Sequence, residues 1–185
     1  MILPIYIYGN TVLRKKCEDI DPNYKNLNIL IKDMFETMHN ANGIGLAAPQ
    51  VGFSINLFVI DLNPLSEDNP KLKGLKKVFI NPKIINEYGD NWEYDEGCLS
   101  IPDLNDIVIR KKNIEIEYMD EKFNLIKEKI SGMEARVIQH EYDHLKGVLF
   151  TDHLSAKRKN IINRKLNTIK KGKFQKRYNV KLSQK

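Results

Sequence analysis

The chain has only two cysteines, Cys17 and Cys98, in 185 residues. That is too few for a disulfide framework, so a packed core must hold the fold and a reducing setting is the default. No apolar run approaches the roughly 20 residues that a membrane-spanning helix needs. The apolar start, Met1-Ile2-Leu3-Pro4-Ile5-Tyr6-Ile7-Tyr8, lacks both a basic beginning and a small-residue cleavage site. It reads as a strand rather than a signal peptide. Internal repeats and domain linkers are absent. Acidic residues are scarce at the far end: residues 151–185 carry twelve Lys/Arg and one acid, Asp152. No glutamate follows Glu141. With 42% hydrophobic and 29% charged residues, the chain falls among globular rather than disordered sequences, long enough to bury one core. The expected organisation is a single domain over 1–172 and a basic C-terminal tail over 173–185.

After the first strand, Gly9-Asn10 marks a turn and Thr11 is expected to cap a short helix through Lys16. Leu27, Leu30, Ile31, Met34, Phe35 and Met38 recur at helical spacing and predict a helix over about 26–40. Ile55 to Ile60 reads as a strand, and residues 63–76, with Pro64, Pro70 and Gly74, as a surface loop. Residues 78–80, 83–85, 92–94 and 107–109 are short strand candidates. Ile114–Tyr118 and Asn124–Ile126 alternate around a hairpin turn at Asp120-Glu121-Lys122. Ser131 and Glu134 have the spacing of a capping box, and Gly147 suits a helix end, predicting a helix over 132–146. A last helix runs from Ser155 to Lys171.

The 132–146 segment contains His140-Glu141-Tyr142-Asp143-His144, an H-E-x-x-H pattern. Four residues span about one helical turn, so both imidazoles leave one face and can share an ion, with Glu141 beside them to hold a water. Met133, Val137, His140 and His144 form one stripe, so the ligands continue an inward-facing apolar row. The third ligand is the open question. A metzincin-type continuation, H-x-x-G-x-x-H, has Gly147 in place but Phe150 instead of histidine. A gluzincin-type downstream glutamate does not exist here. Asp152 and His153 follow the helix end too closely. Upstream, Glu96-Gly97-Cys98-Leu99-Ser100 offers Cys98, a thiolate ligand beside a glycine that permits close approach. Cys17, among Arg14, Lys15 and Lys16, reads as a structural thiol.

Gly43-Ile44-Gly45-Leu46-Ala47-Ala48-Pro49-Gln50 has the outline of a dinucleotide fingerprint. That fingerprint needs a strand before it and a helix after it. Here a helix precedes, and Pro49 opposes a helix following. The small residues instead suit a backbone approached by a ligand or another strand.

Gly43-x-Gly45-x-Ala47-Ala48-x-Gln50, Glu96-Gly97-Cys98-Leu99-Ser100 and Gln139-His140-Glu141-x-Asp143-His144, in this order, resemble the peptide deformylase family over nearly the whole chain. Together with the elements above, the resemblance implies an α+β fold. Mainly antiparallel strands would pack around a central metal-binding helix, with an N-terminal and a C-terminal helix. It implies hydrolytic removal of the formyl group from the initiator methionine of nascent polypeptides. It implies one divalent metal on Cys98, His140 and His144, with Fe²⁺ native and Zn²⁺ or Ni²⁺ as substitutes. Glu141 would be the base, and the Gln50 side-chain amide and Leu99 backbone N–H the oxyanion donors.

The stripe makes Met133 and Val137 candidates for the methionine pocket, joined by Ile44, with the Gly43–Gly45 backbone pairing with the extended peptide. Arg110 is expected to pair with Asp143 or Glu96. The chain departs from the family at Asp103-Leu104-Asn105, where many members carry an arginine near Asn105; this bears on the outer peptide subsites.

Two readings compete: a zincin-type metalloprotease, and a zinc-stabilised RNA-binding module with a basic tail. The first wants a downstream ligand that is missing. The second wants four protein ligands where three are on offer. The basic C-terminus suggests an anionic partner, ribosomal RNA near the nascent-chain exit. A monomer in the bacterial cytoplasm, or in an organelle of bacterial origin, is expected.

Overall fold

The computed structural model describes residues 1–183. In chain order the elements are β1 (Ile5–Tyr6), α1 (Leu27–Asn40), β2 (Gly45–Ala47), β3 (Leu57–Asp61), β4 (Lys76–Cys98), β5 (Ile101–Met119), β6 (Leu125–Ser131), α2 (Gly132–Leu145), α3 (Ala156–Lys170) and β7 (Val180–Lys181). β2 to β6 form one antiparallel sheet in sequence order, and β1 pairs with β7 in parallel. The α+β class and the central position of the H-E-x-x-H helix match the expectation.

β3 explains the layering. Its run Leu57-Phe58-Val59-Ile60 is buried on both faces, so it reads as continuous rather than alternating apolar sequence. Phe58 and Ile60 join Phe79, Ile114, Ala135 and Ile138 in a core beneath α2. Leu57 and Val59 face the other way and pack with Leu30, Met34 and Met38 of α1. A third core sits under α3, where Ile162, Leu166 and Ile169 meet Ile101, Val108 and Phe150.

The separate short strands expected over 78–109 are two long bent ones. Register shifts at Ile80/Lys83, Ile84/Asn86 and Tyr88/Asn91 bend β4 without ending it. Asn81, with φ 49°, sits at the first of these irregularities and Gly89, with φ 83°, at the last. The turn-forming residues therefore mark bulges rather than loops. The hairpin at Asp120-Glu121-Lys122 forms as expected, with Asp120 Oδ1 accepting from Lys122 and Asn124 N–H. The 63–76 loop carries two short 3₁₀ turns.

Two capping expectations fail. Thr11 lies inside a 3₁₀ turn, Thr11–Arg14, whose cap position is Asn10. Ser131 occupies the N-cap of α2, but its side chain makes no cap hydrogen bond. Gly132 enters the helix at φ 66°, and Glu134 is drawn instead to Lys77, 2.9 Å away. Ser155 does cap α3, accepting from Arg158 N–H at 3.2 Å.

Residues 173–183, set apart above as a tail, return across the body. Val180 and Lys181 pair with β1, and Phe174, Val180 and Leu182 pack on the core under α3. Gln184 and Lys185 lie outside the described residues.

Candidate metal centre

β4 ends at Cys98 and β5 starts at Ile101, so a tight turn presents Cys98-Leu99-Ser100 over α2. Beneath it, His140 and His144 leave the same helix face, their rings 5.1 Å apart. Ligand atoms of Cys98, His140 and His144 all lie within 4.8 Å of one another. Cys98 Sγ is 3.3 Å from His144 Nε2. One thiolate and two imidazoles around a common point suit a divalent transition metal such as Zn²⁺ or Fe²⁺. Phe150, at the position where a metzincin would have its third histidine, is fully buried and stacks near His140 at 6.3 Å. An apolar ring fills that place, while Asp152 is engaged by Arg14 and His153 by Asp143.

His140 is held from behind. Its Nδ1 lies 2.9 Å from Glu96 Oε2, which leaves Nε2 for the centre. Glu96 also accepts from Arg110 Nε at 2.7 Å, Arg110 Nη2 at 3.0 Å and Arg136 Nη1 at 2.8 Å. Arg110 continues to Asp143 Oδ2 at 2.7 Å, so it meets both acids named above as alternatives. Burial works against charge on Glu96, but the His140 and Arg110 hydrogen bonds prevail and hold its carboxyl well below the usual range. Arg136 had no role in the sequence reading. It lies four residues before His140 on the same face, and that spacing was the available signal.

Gln50 is buried and oriented by its neighbours. Its Oε1 accepts from Ala47 N–H at 2.8 Å. Its Nε2 therefore faces Ser100 Oγ at 3.2 Å and Cys98 Sγ at 3.5 Å. Glu141 is buried, and its Oε2 has no protein hydrogen-bond partner among the described residues. Burial pushes its carboxyl up to about 7, despite the opposing effect of His140. A carboxylate poised near neutral pH is suited to accept a proton and return it.

A cavity of about 520 Å³ opens onto these groups. Met133, Val137, Ile44 and Leu99 give it apolar wall, and Gly43 and Gly45 line it with backbone. Gln175, Arg177 and Tyr178 of the C-terminal segment also line it, as do Asp103 and Asn105.

The polypeptide deformylase family model matches residues 2–160. The chain belongs to the polypeptide deformylase family. Peptide deformylase of Flavobacterium psychrophilum is 52% identical, the match covering 98% of this chain and 97% of the relative. Among solved structures, the Thermus thermophilus peptide deformylase superposes with a TM-score of 0.83 at 37% identity, covering 93% of this chain and 99% of that one. The Legionella pneumophila peptide deformylase gives 0.80 at 36% identity, covering 92% and 96%. As a deformylase, the chain is a metal-dependent hydrolase that removes the formyl group from the initiator methionine of nascent polypeptides. The metalloprotease and RNA-module readings are not favoured. No helix among the described residues is long and apolar enough to cross a membrane.

Proposed function

We propose that Cys98, His140 and His144 hold the metal of this deformylase and that Glu141 is its proton shuttle. The observation that carries the assignment is the convergence of the three ligand atoms within 4.8 Å, beside buried Glu141, whose Oε2 has no hydrogen-bond partner among the described residues. The thiolate–imidazole donor set fits a catalytic centre with room for a fourth, non-protein position. A divalent ion there supplies a Lewis acid that lets water ionise near neutral pH. Glu141 accepts the water's proton as its oxygen attacks the formyl carbon. The Gln50 Nε2–H and Leu99 N–H donate to the formyl oxygen as it gains charge. Glu141 then passes the proton to the departing amine, and formate leaves.

The substrate's methionine side chain enters between Met133, Val137 and Ile44, and its backbone runs along Gly43 to Gly45. Residues 1–172 form the deformylase domain, and Gln175, Arg177 and Tyr178 of the C-terminal segment complete the wall of its cavity. Fe²⁺ is the native metal, with Zn²⁺ and Ni²⁺ able to replace it; metal analysis of anaerobically purified, active protein tests this. The enzyme works as a cytoplasmic monomer, or in an organelle of bacterial origin. The exposed Lys/Arg of α3 and the C-terminal segment face ribosomal RNA. Ribosome binding indifferent to salt would remove that last role.

The decisive experiment is formate release from a formyl-Met peptide alongside metal content. Glu141→Ala is expected to keep the metal and abolish turnover, whereas Cys98→Ala, His140→Ala and His144→Ala lose both. Turnover retained by Glu141→Ala would remove the base from the mechanism.

A further inference from the structure

Two short strands far apart in sequence meet at the turn that carries Cys98. Ile5 pairs with Val180 and Tyr6 with Lys181. Ile5 N–H donates to Asn179 O at 2.9 Å and Ile7 N–H to Lys181 O at 3.0 Å. The continuation of each strand reaches the same turn. Tyr8 N–H donates to Ser100 O at 2.8 Å, and Tyr178 Oη donates to Leu99 O at 2.7 Å. Two successive carbonyls are thus each held from outside. Neither the Leu99–Ser100 nor the Ser100–Ile101 peptide can rotate without breaking one of these bonds.

We propose that Tyr178 is a positioning residue for deformylation. Its phenol holds the Leu99 carbonyl, which fixes the chain on the far side of the Leu99 Cα from the Leu99 N–H, so that this N–H and, through Ser100 Oγ, the Gln50 amide stay aimed at the reacting carbonyl. This rests on the roles given above to Leu99 and Gln50. Burial, and then the neighbouring Cys98, push the phenol above its ordinary range, so it remains a donor at working pH. The rest of the segment is fastened independently of this hydroxyl. Phe174, Val180 and Leu182 pack on the core. Gln175 N–H donates to Asp103 Oδ2 at 3.3 Å, and Asn10 Nδ2 donates to Lys181 O at 2.9 Å. Removing the hydroxyl alone therefore loosens the turn while leaving the strand pair in place.

The test uses the full-length, metal-loaded enzyme with Tyr178→Phe. A group that steadies transition-state donors changes kcat, and one that grips substrate changes KM. The expected result is a kcat lower by about threefold to tenfold, the scale of one lost hydrogen bond. KM and metal content stay as in the native enzyme. In the metal-free protein, amide exchange at Leu99 and Ser100 accelerates. Tyr118→Phe removes a comparable phenol bond, 3.1 Å to Glu128, from outside the cavity and leaves kcat unchanged. Gln50→Ala is measured in parallel. Native kcat in Tyr178→Phe, with kcat lost in Gln50→Ala, overturns the positioning role and leaves the site assignment intact. Native kcat in both removes the site assignment and the inference with it. A raised KM with native kcat makes Tyr178 a substrate contact and also overturns the proposal.

Discussion

A Cβ placed on Gly45 would lie 2.4 Å from Glu141 Oε1. β2 therefore passes so close to α2 that a hydrogen is the largest side chain this position allows while the carboxylate keeps its place. Gly45→Ala tests that relationship. The atoms in the way are the mobile end of a side chain, so the glutamate yields before the backbone does. We expect stability to change by less than about 1 kcal/mol. Deformylation should fall about 100-fold, the scale of a catalytic group displaced by 1 Å. Urea midpoints and kcat for the two proteins check it. Native kcat would show that Glu141 has slack.

Glu96 is the one acid shared by His140, Arg110 and Arg136, and its side chain is only 4% exposed. Its carboxyl is held below the ordinary range, so it contributes stability that is fully present above about pH 4.5. That contribution is lost as pH falls toward the depressed folded value, because the unfolded chain takes up the proton first. The native protein should therefore lose stability steadily below about pH 4.5. Glu96→Gln should already be weaker at pH 7 by about 3–5 kcal/mol, since buried Arg136 loses its carboxylate partner and buried Arg110 keeps only Asp143. It should also show a flatter acid slope. Urea unfolding between pH 3 and pH 7 measures both; equal slopes would mean that Glu96 does not govern the acid limb.

These two residues also show what a sequence can disclose. Glu141 and the histidines were legible because a helix converts spacing into direction, so positions 140 and 144 had to share a face. Cys98 was legible by exclusion and by its glycine neighbour. Arg110 was legible as a charge near inward-facing motifs. The C-terminal segment was not, because its lysines dominated its composition. Tyr178, Val180 and Leu182 alternate with exposed residues, the period of an extended chain with one buried face, but exposed Lys176 interrupts the pattern before Phe174. That signal was present but diluted over nine residues. The bends in β4 were hidden for another reason: a bulge and a loop use the same residues, Asn and Gly, and only the partner strand distinguishes them.

The two cysteines should separate cleanly by chemistry. Cys17 is 5% exposed within the core beneath α2, its N–H bonded to Leu145 O at 2.9 Å. Burial pushes its thiol up to about 11, although Lys146 works the other way. At pH 8 only about one molecule in a thousand would present the reactive thiolate there. Cys98 is partly exposed and lines the cavity. Iodoacetamide at pH 8 should therefore modify one thiol of the metal-free protein, and peptide masses should place the label on Cys98. Cys17 should react only in urea. Adding Zn²⁺ before the reagent should protect Cys98, because a coordinated sulfur is withdrawn from attack, while the rate at Cys17 stays unchanged. Labelling of Cys98 at the same rate with and without metal would remove it from the ligand set. Rapid labelling of Cys17 in the native state would mean that the core opens far more often than its packing implies.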